Sequence, residues 1–187
     1  MGRYAQYEKG ASRVRQLPAP RGLVIESAGN ADLPEIAAIC AERDGSTVGK
    51  PLTAFQRFLQ RSWETEECML WLARWRGRVI GFAKCGRFVP PNDAPLNSAP
   101  EGWYLLGLVV VPEYRRRGVG FQLTKTRLGW IATRSATAYY FANAKNRVSI
   151  ALHSRLGFRE LTRDFSFPGA EFDGGTGVLY VWRRACV

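Results

Sequence analysis

A single histidine stands in this 187-residue chain, and its four cysteines, Cys40, Cys68, Cys85 and Cys186, are widely spaced with no Cys-x-x-Cys pair. A zinc site of the usual kinds cannot be assembled from that set, so no metal is expected, and the thiols read as reduced groups in a cytoplasmic protein. No apolar run approaches the roughly 20 residues of a membrane-spanning helix. The start, Met1-Gly2-Arg3-Tyr4, leads into a polar basic stretch, which excludes a secretory signal; with Gln6 and Tyr7 where Ser or Thr is wanted, myristoylation at Gly2 is rejected as well. Acidic residues are few, 16 against 27 Lys and Arg, which leaves a net charge of +11. That balance favours polyanionic partners, nucleic acid among them.

What is present bounds the rest. A 46% hydrophobic content with six tryptophans excludes wholesale disorder, and the length suits one domain with a sizeable core. Residues 1–22 carry Arg3, Lys9, Arg13, Arg15 and Arg21 without apolar periodicity, and are expected to form a flexible basic extension before a single domain over 23–187.

The most informative stretch runs from Trp103 to Gly120. Nine aromatic, aliphatic and glycine residues, Trp103 to Val111, predict a buried strand that Pro112 ends. Arg115-Arg116-Arg117 then lead into Gly118-Val119-Gly120, after which Phe121, Thr124, Leu128, Ile131 and Ala132 share one face of a helix running to about Arg134. The first amides of a helix lack internal partners and carry positive potential, and glycine lets a ligand approach the backbone, so this turn is a candidate pyrophosphate cradle. It could equally be a solvated charge run beside a tight turn. There is no Gly-Lys-Ser/Thr ending and no third glycine three residues on, which argues against ATP and against a dinucleotide fold.

The run Val110-Val111-Pro112-Glu113-Tyr114-Arg115-Arg116-Arg117-Gly118-Val119-Gly120 resembles the acyl-CoA pyrophosphate loop of the GNAT superfamily of N-acetyltransferases. A second block, Asn146-x-x-Ser149-Ile150-x-Leu152-His153-x-x-Leu156-Gly157-Phe158, is similar to that family's Asn-x-x-Ala/Ser-helix-Leu-Gly-Phe segment. The resemblance covers roughly Leu23 to Arg183. It implies an α/β fold, a central twisted mixed sheet of about six to seven strands flanked by about four helices, and acetyl-CoA as co-substrate.

The remaining elements fit that order. Leu23–Ser27 reads as a strand; Asp32-Leu33-Pro34-Glu35 reads as a capping box opening a helix to about Glu42, with Leu33, Ile36, Ala37 and Cys40 inward. After a loop over Gly45–Lys50, a helix is expected from Thr53 to about Trp63, with Phe55, Phe58 and Leu59 inward. Cys68–Trp75 and Arg78–Phe88 form a hairpin about Arg76-Gly77, and the proline-rich 89–102 stretch forms a long loop of the kind that often makes a lid. Short strands are expected at Ala138–Ala142, Phe158–Phe165 and Gly177–Arg183, with a turn-rich loop over Ser166–Thr176. On the helix Arg147–Arg155, helical geometry puts Val148, Ala151, Leu152 and Leu156 on a buried stripe and Asn146, Ser149 and His153 together on another.

By the resemblance, the backbone of Leu108, Val109 and Val110 polarises the acetyl oxygen, Arg115 to Gly120 hold the pyrophosphate, and Asn146, Ser149 and His153 line the coenzyme. His153 stands where the family commonly has a tyrosine that protonates the departing thiolate. It is a candidate general acid, or it merely hydrogen-bonds the coenzyme or a carbonyl. Glu101 and Tyr104 are the candidates for taking the proton of the acceptor amine. Trp103, Asp44, Glu171 and Asp173, with Glu42 and Asp164, are candidates for the acceptor site. The segments Tyr140–Ala144 and Phe165–Gly169 look like those of bacterial aminoglycoside-modifying enzymes, kasugamycin-type substrates included. The high positive charge disfavours a polycationic acceptor unless those acidic residues gather. A protein N-terminal or lysine acetyltransferase, and a non-catalytic acyl-CoA or nucleic-acid binding module, stay open beside it. Nucleic acid is the less favoured partner, no membrane is expected, and a homodimer is compatible with the sequence.

Overall fold

The computed structural model describes residues 2–4 and 18–184. The basic extension expected over residues 1–22 falls for the most part outside them; Gly2–Tyr4 (β1) pairs in parallel with Ala170–Phe172. The principal sheet has seven strands, in the order β2-β3-β4-β5-β6-β9-β7. These are Val24–Ser27 (β2), Cys68–Trp75 (β3), Arg78–Phe88 (β4), Gly102–Val110 (β5), Thr137–Asn143 (β6), Arg159–Thr162 (β7) and Gly177–Arg183 (β9), with Ala170–Phe172 as β8. Four α-helices accompany it: Leu33–Asp44 (α1), Gly49–Thr65 (α2), Val119–Ala132 (α3) and Arg147–Ser154 (α4). This is the mixed seven-stranded sheet with four helices that the resemblance implied. The chain divides into two compact units, and the division falls within β4, within β5 and again within α3.

Among the described residues, one unit spans 18–86 and 106–127. Its hairpin turns at Arg76 and Gly77, both at positive φ (49° and 78°), the combination that matches the twist of the strands it joins. Leu33, Ile36, Cys40, Phe55, Leu59, Leu70, Leu72 and Phe82 form its main core. Two expectations need correction here. Asp32 does not cap α1: its carboxylate accepts from the Gly29 amide (2.8 Å) and pairs with Arg74 (2.6 Å), while Glu35 accepts from the Val79 amide (3.0 Å). Helix α2 begins at Gly49 rather than Thr53, because Pro51 sits in the first helical turn, where a missing N–H costs nothing.

The other unit holds residues 2–4, 87–105 and 128–184 among those described. Its interior is a cluster of rings. Tyr104 stacks on Tyr139 (5.2 Å between centroids) and packs against Phe88 and Phe167, and Phe141 meets Phe165, Phe167 and Phe172. The long loop before β5 is tied down: Ala99 N–H donates to Ser166 O, Ser166 N–H to Asn97 O, and the Asn97 amide to Asp164. The turn-rich stretch after β7 contains the short strand β8, which had been read as loop.

Candidate active site

The turn between β5 and α3 is built by backbone conformation. After Val110, Val111 N–H donates to Ile80 O (3.0 Å), and a single 3-10 turn over Pro112–Tyr114 redirects the chain. Arg115 then returns its Nε–H to Val110 O (3.0 Å), bracing the turn against the end of the strand. Arg116 and Gly118 both take positive φ, 61° and 70°. Left-handed residues are what oxyanion-binding turns are built from, and these two stand directly ahead of a 14-residue helix. Three guanidinium groups add positive charge. The donor set thus fits a pyrophosphate.

Strand β5 is kinked ahead of this turn. Gly107 has φ +20° and is exposed to solvent although β5 is the fourth of seven strands. The alternation of buried and open residues breaks there, with Tyr104 and Leu105 both buried and Val109 buried again. A buried guanidinium holds the kink. Arg127, 1% exposed, donates from Nη1 to Lys84 O (3.0 Å) and Leu106 O (2.8 Å), and from Nη2 to Thr124 Oγ1 (3.0 Å). Burial pushes its pKa down to about 10, still far enough above neutrality to keep it cationic. Sequence reading missed Arg127. The available signal was its spacing, three residues after Thr124 and four before Ile131, inside the apolar stripe.

In the other unit, α4 corrects the helical-wheel expectation. Ala151, assigned to the buried stripe, is exposed, and His153 is the buried residue of the helix at 4% exposure. The stripe is inverted because the imidazole stacks on the Tyr140 ring, with centroids 3.7 Å apart, and meets Phe158 edge-on. The structure does bring Asn146, Ser149 and His153 together. Asn146 caps the helix by accepting from Ser149 N–H (3.0 Å), and His153 Nδ1 lies 2.8 Å from Ser149 O. A carbonyl accepts only, so Nδ1 carries a proton, and giving a proton from Nε2 requires the imidazolium form.

Most of the other candidates have local partners. Tyr104 is fully buried and its hydroxyl donates to Pro100 O (2.6 Å); burial pushes its pKa well above the usual phenol value. Glu101 is exposed and paired with Arg87 (2.6 Å). Trp103 meets Trp130 edge-on at 5.3 Å. Asp44 pairs with Arg43 (2.6 Å), whose hydrogen bond holds its carboxyl below the usual range. Glu42 and Glu171 are exposed, and the Asp173 backbone carbonyl accepts from Asn143 (2.7 Å). Leu108 and Val110 pack in an apolar cluster with Val119 and Leu123. Cys40, Cys68 and Cys85 are buried thiols outside any disulfide, and Cys186 lies outside the described residues. Among the described residues there is no group of three or more potential metal ligands, and no helix long and apolar enough to cross a membrane.

Comparison with known proteins agrees with this geometry. The family model described as "Acetyltransferase (GNAT) family" matches residues 31–158. No curated protein matches the chain. Among solved structures, the chain is similar to a ribosomal-protein-alanine N-acetyltransferase from Brucella melitensis, with a TM-score of 0.67, 23% identity, and 86% of this chain and 99% of that one covered. It is similar also to a GNAT superfamily phosphinothricin acetyltransferase from Sinorhizobium meliloti in complex with AcCoA, with a TM-score of 0.64, 18% identity and coverage of 87% and 88%. An aminoglycoside antibiotic 6′-N-acetyltransferase from Acinetobacter haemolyticus gives a TM-score of 0.58, 22% identity and coverage of 77% and 96%. At these identities the likeness is one of fold.

Proposed function

Because the chain belongs to the acetyltransferase (GNAT) family, and is thereby an acetyl-CoA-dependent acetyltransferase, we propose that its acceptor is a primary amine of a small molecule. The first choice is an aminoglycoside-type antibiotic, kasugamycin-like compounds included, acetylated by direct transfer in a ternary complex. The observation that carries the coenzyme part of the reading is the turn at Arg115–Gly120, with two left-handed residues and clustered guanidinium groups at the head of α3; the acceptor rests on the likeness in fold to aminoglycoside 6′-N-acetyltransferases.

Acetyl-CoA supplies an acetyl group already activated as a thioester. The residues assigned to hold it are Arg115, Arg116, Arg117, Gly118, Val119 and Gly120 for the pyrophosphate, with Asn146 and Ser149 toward the pantetheine. The amides of Leu108, Val109 and Val110 act as fixed dipoles for a developing oxyanion, which stabilise charge without reorganising. An aliphatic ammonium must lose a proton before its nitrogen can attack. Glu101 is the side chain assigned to accept it, directly or through water; Tyr104, whose proton is committed to Pro100 O, is given a positioning part instead. His153 is assigned the proton that the thiolate receives, entering as imidazolium with Nδ1 on Ser149 O. Glu171, Asp173, Asp44 and Trp103 are assigned to the acceptor.

A protein amino terminus is the second reading, supported by the similarity in fold to ribosomal-protein-alanine N-acetyltransferases. Calorimetry with acetyl-CoA, followed by free-thiol release with aminoglycosides, polyamines and peptides, tests both. Uptake with turnover on an aminoglycoside is the expected result. Turnover on peptides alone transfers the assignment to the second reading, and absence of coenzyme uptake overturns the whole. His153→Phe, which keeps the ring stack on Tyr140, should reduce turnover by about 10²- to 10⁴-fold while leaving coenzyme uptake near wild type; unchanged turnover ends its role as acid.

A further inference from the structure

Lys84 is a cation in an unusual place. It is the only charged residue within the run Val79–Gly86 of β4, and its ammonium lies over two aromatic faces of α2, 5.5 Å from the Phe55 centroid and 5.2 Å from that of Phe58. Among the described residues no carboxylate pairs with it; the other cation near it is Arg43, which already has Asp44. Burial pushes the Lys84 pKa down, as it does for a cation that has lost water without gaining an anion. Ring faces supply part of the lost solvation and no neutralising charge.

The Lys84 stem passes the exposed Gly107, with Cε 3.5 Å from the point where a β-carbon on that glycine would stand. Gly107 is thus exposed although its strand is the fourth of seven, and the side chain beside it carries an ammonium. Arg127 fixes both sides, since one of its nitrogens holds the carbonyls of Lys84 and of Leu106, the residue before Gly107. The cation and the kink are therefore placed by one buried group.

We propose that Lys84, above the open face of Gly107, is a subsite for an anionic group of the acceptor, a carboxylate or a phosphate. The acceptor is then an amine that also bears an acid, rather than a simple polyamine. This rests on the acetyltransferase reading, and it answers the difficulty that Asp44, Glu101 and Asp164 are each engaged by their own neighbours. An incoming anion meets an uncompensated charge in a low-dielectric setting, where its interaction is stronger than in water.

The test is lysine-selective NMR of the full chain saturated with coenzyme A, with Lys84→Met used to assign the signal. Acetate and inorganic phosphate are titrated in separate arms to about 50 mM, the range in which a weak fragment-sized anion saturates. The expected result is a saturable shift of the Lys84 ammonium, a higher Lys84 pKa, and little change at Lys50 and Lys125. The arm that saturates at lower concentration identifies the acid. Lys84→Arg should retain binding, and Lys84→Met should weaken protection of the fold by the same anion at least about tenfold. No shift, or an equal shift at all three lysines, overturns the subsite. So does mass spectrometry that finds an acetyl group on Lys84 after incubation with acetyl-CoA, because an amide nitrogen carries no charge to offer. Calorimetry with coenzyme A separates the two failures: intact uptake with an unresponsive Lys84 sinks only the subsite, and absent uptake sinks the enzyme reading first.

Discussion

The unit that carries the β5–α3 turn keeps cations in its interior, whereas the unit that carries α4 keeps rings. Arg127 and Lys84 are surrounded by carbonyls and ring faces, while Tyr104, Tyr140, Phe141 and Phe167 are surrounded by one another. A guanidinium acts through directional bonds and so dictates where backbone atoms stand; rings pack with wide tolerance and mainly exclude water. The backbone proposed to face ligand, at Gly107 and Arg115–Gly120, lies in the unit with the directional interior. Precision there comes from hydrogen bonds, and bulk stability elsewhere comes from burial.

Removing the guanidinium is the strongest way to break that contrast. Arg127→Ala leaves the carbonyls of Lys84 and Leu106 without their donor and opens a void. Unfolding in urea should show a loss of about 3–5 kcal/mol. Arg127→Met fills the void and should recover part of the loss only, since the carbonyls stay dry and unpaired. A change below about 1 kcal/mol in both variants would mean the cation is incidental. Gly118→Val comes next. With φ at +70°, a branched side chain costs about 1–2 kcal/mol and rotates the amides that the coenzyme is proposed to meet, so uptake measured by calorimetry should weaken about tenfold or more.

The same contrast explains what could be read from the residues. The hairpin at Arg76-Gly77, the strand Gly177–Arg183 and the Arg115–Gly120 turn are specified by neighbours in sequence, and each stands where local reading put it. Helix α4 is different: its buried face is chosen by Tyr140, on another strand, and the pattern within eight residues points the other way. Lys84 and Arg127 drew no reading from the sequence because only the distant carbonyls and rings around them make their burial tolerable. Asp32 read as a cap for want of any sign that Arg74 would claim its carboxylate.

Within the ring-filled unit, two tyrosines sharpen the comparison from the opposite side. The Tyr104 hydroxyl has Pro100 O, and the Tyr140 hydroxyl meets no partner among the described residues. Tyr104→Phe should therefore cost about 0.5–1.5 kcal/mol, and Tyr140→Phe should be neutral or mildly stabilising. Burial raises the pKa of both phenols. The folded chain keeps these protons at a pH where the unfolded chain has lost them, so their contribution is complete below about pH 10 and declines as pH rises above it. Denaturation followed from pH 8 to 11 should show a shallower alkaline decline in either variant than in the wild type.

The smallest effect is expected at Glu101. Its ion pair with Arg87 joins side chains that are 52% and 39% exposed, where solvent and salt screen the attraction. Glu101→Gln should change stability by roughly 0–1 kcal/mol, with the difference shrinking in high salt. Turnover is the more telling readout, because a carboxylate that takes the acceptor's proton is worth about 10²–10⁴-fold in rate. A stable Glu101→Gln protein with that loss in kcat and normal coenzyme uptake keeps Glu101 as the base. Unaltered kcat would leave proton removal to water and confine Glu101 to its surface pair with Arg87, a structural element of little energetic weight.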